Sequence, residues 1–226
     1  MQEEVDKQFS TNRDLFPCVL LNMYITSPRV KETFEHAQDI YQGKAEPYTD
    51  KREVYELRDH LMTVFIINNI RRSQEMCTFK LREFANADKF EHQGSCYWII
   101  HISDHKTGIK SKATITCSEL EFDALKSWVK YYRPLITPCS GENCFVFPGG
   151  CTADGDCCTQ SSVSNTSKIM RSGFRRTGIA ILVNLKIGTR RVRQVQITGF
   201  RKEYNSPDDI RKLAALACHR TDTQDR

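Results

Sequence analysis

No stretch of the 226 residues approaches the ~18–20 uninterrupted apolar residues that a membrane-spanning helix needs, and the longest candidate, Met62 to Ile67, sits inside a charged segment. A helical membrane protein is excluded. An export signal is also lacking: MQEEVDKQFS carries acids where a signal peptide has a basic region and then an apolar one, so an intracellular location is expected. No repeat of fixed period is visible, which argues against a solenoid or an array. Ten cysteines are present, yet no pair stands at Cys-x-x-Cys spacing, and a disulfide framework belongs to shorter secreted chains. Free thiols are therefore expected. Cys139, Cys144, Cys151, Cys157 and Cys158 nevertheless cluster; a structural zinc is one reading of them, unpaired loop thiols the other, and neither finger spacing nor nearby histidine favours the metal.

Acidic residues are missing from one long stretch. Lys168 to Lys202 contains Lys168, Arg171, Arg175, Arg176, Lys186, Arg190, Arg191, Arg193, Arg201 and Lys202 with no Asp or Glu among them, although the whole chain carries a formal charge of only +5. Such a run is either a solvated face or a surface for a phosphate backbone.

What is there reads as a chain that changes character near residue 49. Residues 1–48 mix Phe9, Leu15, Phe16, Val19, Leu20, Leu21 and Tyr24 with prolines at 17, 28 and 47, which predicts short helices and a linker around 43–49, too little for a separate domain. From Glu53 onward Val54, Leu57, Leu61, Val64 and Phe65 recur at helical spacing, predicting one buried helix to about Ile70 with Thr49 or Asp50 as its cap. Cys96–Ser103 and Lys112–Cys117 alternate like strands about the polar turn Asp104 to Ser111, predicting a hairpin. Ser118 with Glu121 forms a capping-box pattern ahead of a helix that Pro134 stops. A long loop follows over 139–167, then a helix opening at Asn165, Thr166 or Ser167 and running through Arg175, an apolar element over Ile179 to Ile187, and a last helix opened by Ser206-Pro207-Asp208-Asp209.

Several polar residues stand at the ends of these elements: Arg72 just after the buried helix, Lys106 in the hairpin turn, Arg201 in ITGFRK and His219 in LAALACHR. Their order resembles the catalytic domain of the tyrosine recombinases, the phage-integrase family, especially the form carried by Crypton-like mobile elements of animals, over about Tyr55 to Arg226. The match rests on Arg72-Ser73-Gln74-Glu75 with Leu81, Glu83 and Phe84 downstream, on Lys106 in His105-Lys106-Thr107, and on Thr198-Gly199-Phe200-Arg201-Lys202, where Thr198 occupies the family's histidine position. Leu216 to His219 resembles the family's third cluster loosely, with Ala217-Cys218 replacing its usual Leu-Gly.

The resemblance implies an α+β, mostly helical catalytic domain over 49–226 with a small antiparallel hairpin or sheet, preceded by a vestigial segment over 1–48. It implies double-stranded DNA as partner, self-association on that DNA, a nuclear location, and neither metal nor nucleotide cofactor. In the family a tyrosine attacks a phosphodiester to give a 3′-phosphotyrosyl link, and DNA strands are exchanged during recombination and integration. Arg72 and Arg201 would hold the phosphate through rigid guanidinium forks. Lys106 would protonate the leaving 5′-oxygen, His219 would hydrogen-bond the same phosphate, and Thr198 could offer a hydrogen bond but accepts a proton poorly. Arg171, Arg175, Arg176, Arg190, Arg191, Arg193 and Lys202 would contact the DNA backbone. The family nucleophile follows the last histidine by about nine residues, whereas only 220–226 follow His219 here, and Tyr204 precedes the last helix and matches no family nucleophile. DNA binding without cleavage is therefore expected of the chain as written. An incomplete copy of an active enzyme and a domesticated DNA-binding relic both fit.

Overall fold

A computed structural model describes residues 18–70, 72–103, 113–149, 165–179 and 188–203 together with 206 and 208, with backbone alone for 18, 191 and 199–203. The fold is α+β, helices predominating around one small sheet.

Helix α1 (Cys18–Ile25) leads to α2 (Pro28–Tyr41), whose cap is Ser27 and whose first turn takes Pro28 without losing a hydrogen bond. Both helices enter the common core: Leu21, Tyr24, Val30, Phe34, Ala37 and Ile40 are buried in the same cluster as the residues that follow. The centre of that cluster is α3 (Lys51–Asn68), capped by Asp50, which accepts the Arg52 N–H at 2.8 Å. From Asp59 to Ile67 every residue of α3 is buried, because the apolar run Leu61 to Ile67 surrounds the axis and the helix is covered on all sides.

Two short helices follow, α4 (Ser73–Thr78) and α5 (Leu81–Ala85), and then a three-stranded antiparallel sheet of order β1 (Asp88–His92), β2 (Ser95–Ile102), β3 (Ala113–Ser118). Pairing of β2 with β3, Ile100 opposite Ile115 and Ile102 opposite Ala113, gives the expected hairpin. Its partner β1 was not expected. The signal for it is Gln93-Gly94, both with positive φ (50° and 76°), which closes a two-residue turn between His92 and Ser95. Trp98 on the inner face of the sheet stacks on Phe122 at 4.1 Å, which docks the sheet on α6 (Glu119–Ser127).

The capping box that opens α6 forms as expected, with the Ser118 N–H donating to Glu121 at 2.7 Å. Its end differs: Trp128–Tyr132 widens into a π-helical turn, then Arg133–Leu135 tightens into a 3-10 turn. Pro134 explains the change, since an α-helix continued through it would drive its ring against the carbonyl four residues back. The following loop is tied down rather than loose. Trp128 donates to the Val146 carbonyl at 2.8 Å, Arg133 to those of Phe145 and Cys139, and the first amides of α5, Leu81 and Arg82, donate to Cys144 and Glu142. Folded back in this way, Cys139 and Cys144 lie 6.4 Å apart at Cα and form a disulfide, correcting the thiols expected there and removing two of the five clustered sulfurs from any zinc site. Cys151, Cys157 and Cys158 lie outside the described residues.

Helix α7 (Thr166–Arg176), capped by Asn165, packs along α3, and α8 (Thr189–Glu203) lies across the end of α3. Gly173 lets Tyr24 of α1 lie against α7. A Cβ there would stand 2.6 Å from the Tyr24 hydroxyl oxygen, and Tyr24 is fully buried and bonded to His60 at 2.6 Å, so it cannot swing aside cheaply. Gly173→Ala is expected to destabilise the fold by about 1–3 kcal/mol in urea unfolding even though alanine is the better helix former. An unchanged midpoint would mean that Tyr24 yields.

A polar chain runs from the half-exposed Arg29 into the core. Arg29 grips Glu56 with Nε–Oε1 at 2.6 Å and Nη2–Oε2 at 2.9 Å, and Glu56 meets His60 Nε2 at 3.3 Å. A carboxylate can only accept, so His60 donates from Nε2, and its Nδ1 meets the Tyr24 hydroxyl at 2.6 Å. Burial opposes ionisation of Glu56, but hydrogen bonds from His60 and Arg29 and the Arg29 charge outweigh it, holding its pKa at about 2.

Candidate nucleic-acid interface

The carboxyl end of α3 is where the pieces meet. Ile70, just beyond the helix, adopts φ +53°, a left-handed conformation that a β-branched side chain resists and that costs roughly 1–3 kcal/mol. It turns the chain sharply, so that two residues later Arg72 heads α4. There the Arg72 N–H donates to the Glu75 carboxylate at 3.0 Å, a capping box that fixes the Arg72 backbone, and Glu75 itself is buried.

Two further ties converge on this corner. Asn69 accepts the Thr116 N–H at 2.7 Å, fastening β3 to the end of α3, and Gln196 of α8 donates to the Ile67 carbonyl. On the sheet's side, the Ser103 N–H donates to Glu83 of α5 at 2.7 Å, which holds the end of β2. The Arg72 segment, the hairpin and α8, which bears Thr198 and Arg201, are thus all anchored at or next to one helix end. Asn69 and Gln196 escaped the sequence reading, and Glu83 entered it without this role, since no spacing marks a side chain whose partner is remote in the chain.

Arg72 is half-buried, and its Nη1 is shielded from solvent with no hydrogen-bond partner among the described residues. A guanidinium donor withdrawn from water is costly unless an acceptor meets it. An anion is the acceptor that would complete it.

Of the other expected site residues, Thr198 lies half-buried on α8, and Arg201 falls on the same helix three residues on, its side chain outside the described residues. Lys106 and His219 lie outside them altogether, as does Tyr204. The basic stretch divides. Lys168, Arg171, Arg175 and Arg190 are exposed, with Arg171 folded onto the Ser167 carbonyl at 3.2 Å. Arg176 instead pairs with the buried Asp59 at 3.2 Å, and Arg193 is only 9 % exposed beside the buried Val192 and Val195. Helix period turns Arg193 inward, whereas the Arg176 side chain keeps 30 % of its surface exposed while one of its nitrogens holds Asp59. For Arg191 and Lys202 the side chains lie outside the described residues.

The chain matches no family model, no curated protein and no solved structure.

Proposed function

We propose that this chain is a DNA-binding protein of the tyrosine-recombinase kind, in which Arg72, Lys106, Arg201 and His219, with Thr198, surround one phosphodiester and the exposed cations of α7 and α8 grip the neighbouring backbone. The observation that carries the reading is the shielded Nη1 of Arg72, without a hydrogen-bond partner among the described residues, at a strained turn to which the sheet and α8 are also tied. Strain and an unmet donor together are features that folding alone does not favour and that a bound anion offsets.

Two guanidiniums suit phosphoryl transfer because each presents a charged fork to the non-bridging oxygens, and a lysine carried on a hairpin turn can approach the leaving oxygen when DNA binds. Phosphotyrosyl strand exchange, as in recombination and integration, additionally requires a tyrosine positioned against the same phosphate. Duplex DNA is the proposed partner, which makes the nucleus the proposed location.

The test is binding to duplex DNA, followed by fluorescence anisotropy across a salt series. With Lys168, Arg171, Arg175 and Arg190 all on phosphates, affinity should fall roughly a hundredfold over a fourfold rise in salt, and Arg171→Ala should lower the logarithmic slope by about one. Salt-independent binding, or none, would overturn the proposal. Extending the reading frame beyond Arg226 and challenging the longer protein with a nicked suicide substrate then separates an enzyme from a relic: a covalent protein–DNA adduct marks the enzyme, and binding without an adduct marks the relic.

A further inference from the structure

The strand that the sequence reading missed has an unpaired edge. Among the described residues β1 pairs with β2 alone, and all five of its residues, Asp88 to His92, are exposed, Phe90 to 42 %. The β1–β2 turn has two residues, so the flanking pair His92–Ser95 exchanges the inner hydrogen bonds, as do Phe90–Tyr97 and Asp88–Ile99. By the alternation of an antiparallel ladder, Lys89 and Glu91 turn their N–H and C=O groups outward.

We propose that β1 is the contact surface for a second copy of this chain, joining two three-stranded sheets into one of six strands. An antiparallel pair of identical strands closes about a two-fold axis, and the outward groups of Lys89 and Glu91 allow three centres. An axis at residue 89 sets Lys89 against Lys89 of the other copy, and one at residue 91 sets Glu91 against Glu91. The axis through Phe90 alone matches opposite charges: Lys89 faces Glu91 of the other copy, Glu91 faces Lys89, and Asp88 faces His92 at both ends. Asp-Lys-Phe-Glu-His is its own charge complement when reversed, which few five-residue strands are.

The same pairing sets the two Phe90 rings side by side at a pair without hydrogen bonds, where Cα atoms approach to roughly 4.5 Å. Each ring already lies beside its own Tyr97 at 6.1 Å and stacks on His92 at 6.0 Å, so four aromatic residues would cross the axis on the outer face. In the single chain Lys89 and Glu91 make only an exposed contact with each other at 3.8 Å, readily exchanged for the pairs across the axis. Edge charges ordinarily repel foreign strands; arranged as here, they exclude most partners and admit a copy of the same chain. The contact is small, so association belongs in the micromolar to millimolar range.

This inference does not rest on DNA binding and is tested without DNA, by sedimentation equilibrium of the full chain over a concentration series. The native chain should dimerise with concentration, whereas Lys89→Glu and Glu91→Lys, each creating two like-charge contacts, should weaken association at least about tenfold. The double exchange Lys89→Glu/Glu91→Lys should restore it. A mixture of the two single variants should form mixed dimers, because one chain then carries acids at both positions and meets a chain that carries lysines at both. A native chain that stays monomeric into the millimolar range, or a dimer indifferent to the single reversals, overturns the proposal.

Discussion

Arg72→Met should lower affinity for duplex DNA by about ten- to a hundredfold while leaving the stability of the fold unchanged or slightly raised. A charge-assisted hydrogen bond is worth about 1.5–3 kcal/mol, and that contribution disappears with the guanidinium. In the free protein the same group is a liability, since its Nη1 is shielded and has no partner among the described residues. Methionine keeps the unbranched stem and removes the unmet donor. Arg72→Lys should fall between, holding the charge but losing the fork. Anisotropy titrations and urea midpoints on the same preparations separate the outcomes: a loss of stability with unchanged affinity would make Arg72 a structural residue and remove the main support for the functional reading.

Glu56→Gln should cost about 1–3 kcal/mol, because the substitution removes the carboxylate charge that Arg29 and His60 both meet, while the half-exposed Arg29 left behind remains solvated. In a chain of 226 residues that corresponds to a fall in Tm of roughly 5 °C. The effect should depend on pH with a definite sign. The folded pKa of Glu56 is about 2, against an ordinary value of 4.5, so the unfolded state takes up the proton first as pH falls. The contribution of the carboxylate is therefore complete above pH 4.5 and is lost progressively toward pH 2. Urea midpoints of the native and Gln proteins should converge over that window, and a gap that stays constant down to pH 2 would show that ionisation of Glu56 is not what stabilises the fold.

Local signals carried much of the architecture. Asp50 caps α3, Ser118 with Glu121 caps α6, Asn165 caps α7, and the alternation of Cys96 to Ser103 and Lys112 to Cys117 gives the β2–β3 hairpin, because each of these depends on neighbours a few residues away. Strand β1 was missed: Gln93-Gly94 marks its turn, but the strand lacks the apolar alternation of a half-buried one, every residue of it being exposed. The disulfide was not legible: cysteine spacing says nothing about a loop that Arg133 and the amides of α5 fold back on itself.

For the site, the sequence by itself determined which residue types were on offer and in what order, Arg72 ahead of a hairpin and a long run of cations without an acid. That Arg72 heads a short helix, its N–H held by Glu75, came from the structure. Only the tertiary structure decided that Arg193 is buried beside Val192 and Val195 and that half-buried Arg176 spends one nitrogen on Asp59, while Lys168, Arg171, Arg175 and Arg190 remain at the surface. It alone brought Asn69 to β3 and Gln196 to Ile67, at separations of 47 and 129 residues. The physical reason is range: caps and turns are settled by groups within one helical turn, whereas the burial of a charge, and the donor left for an anion, depend on which distant segments pack against it.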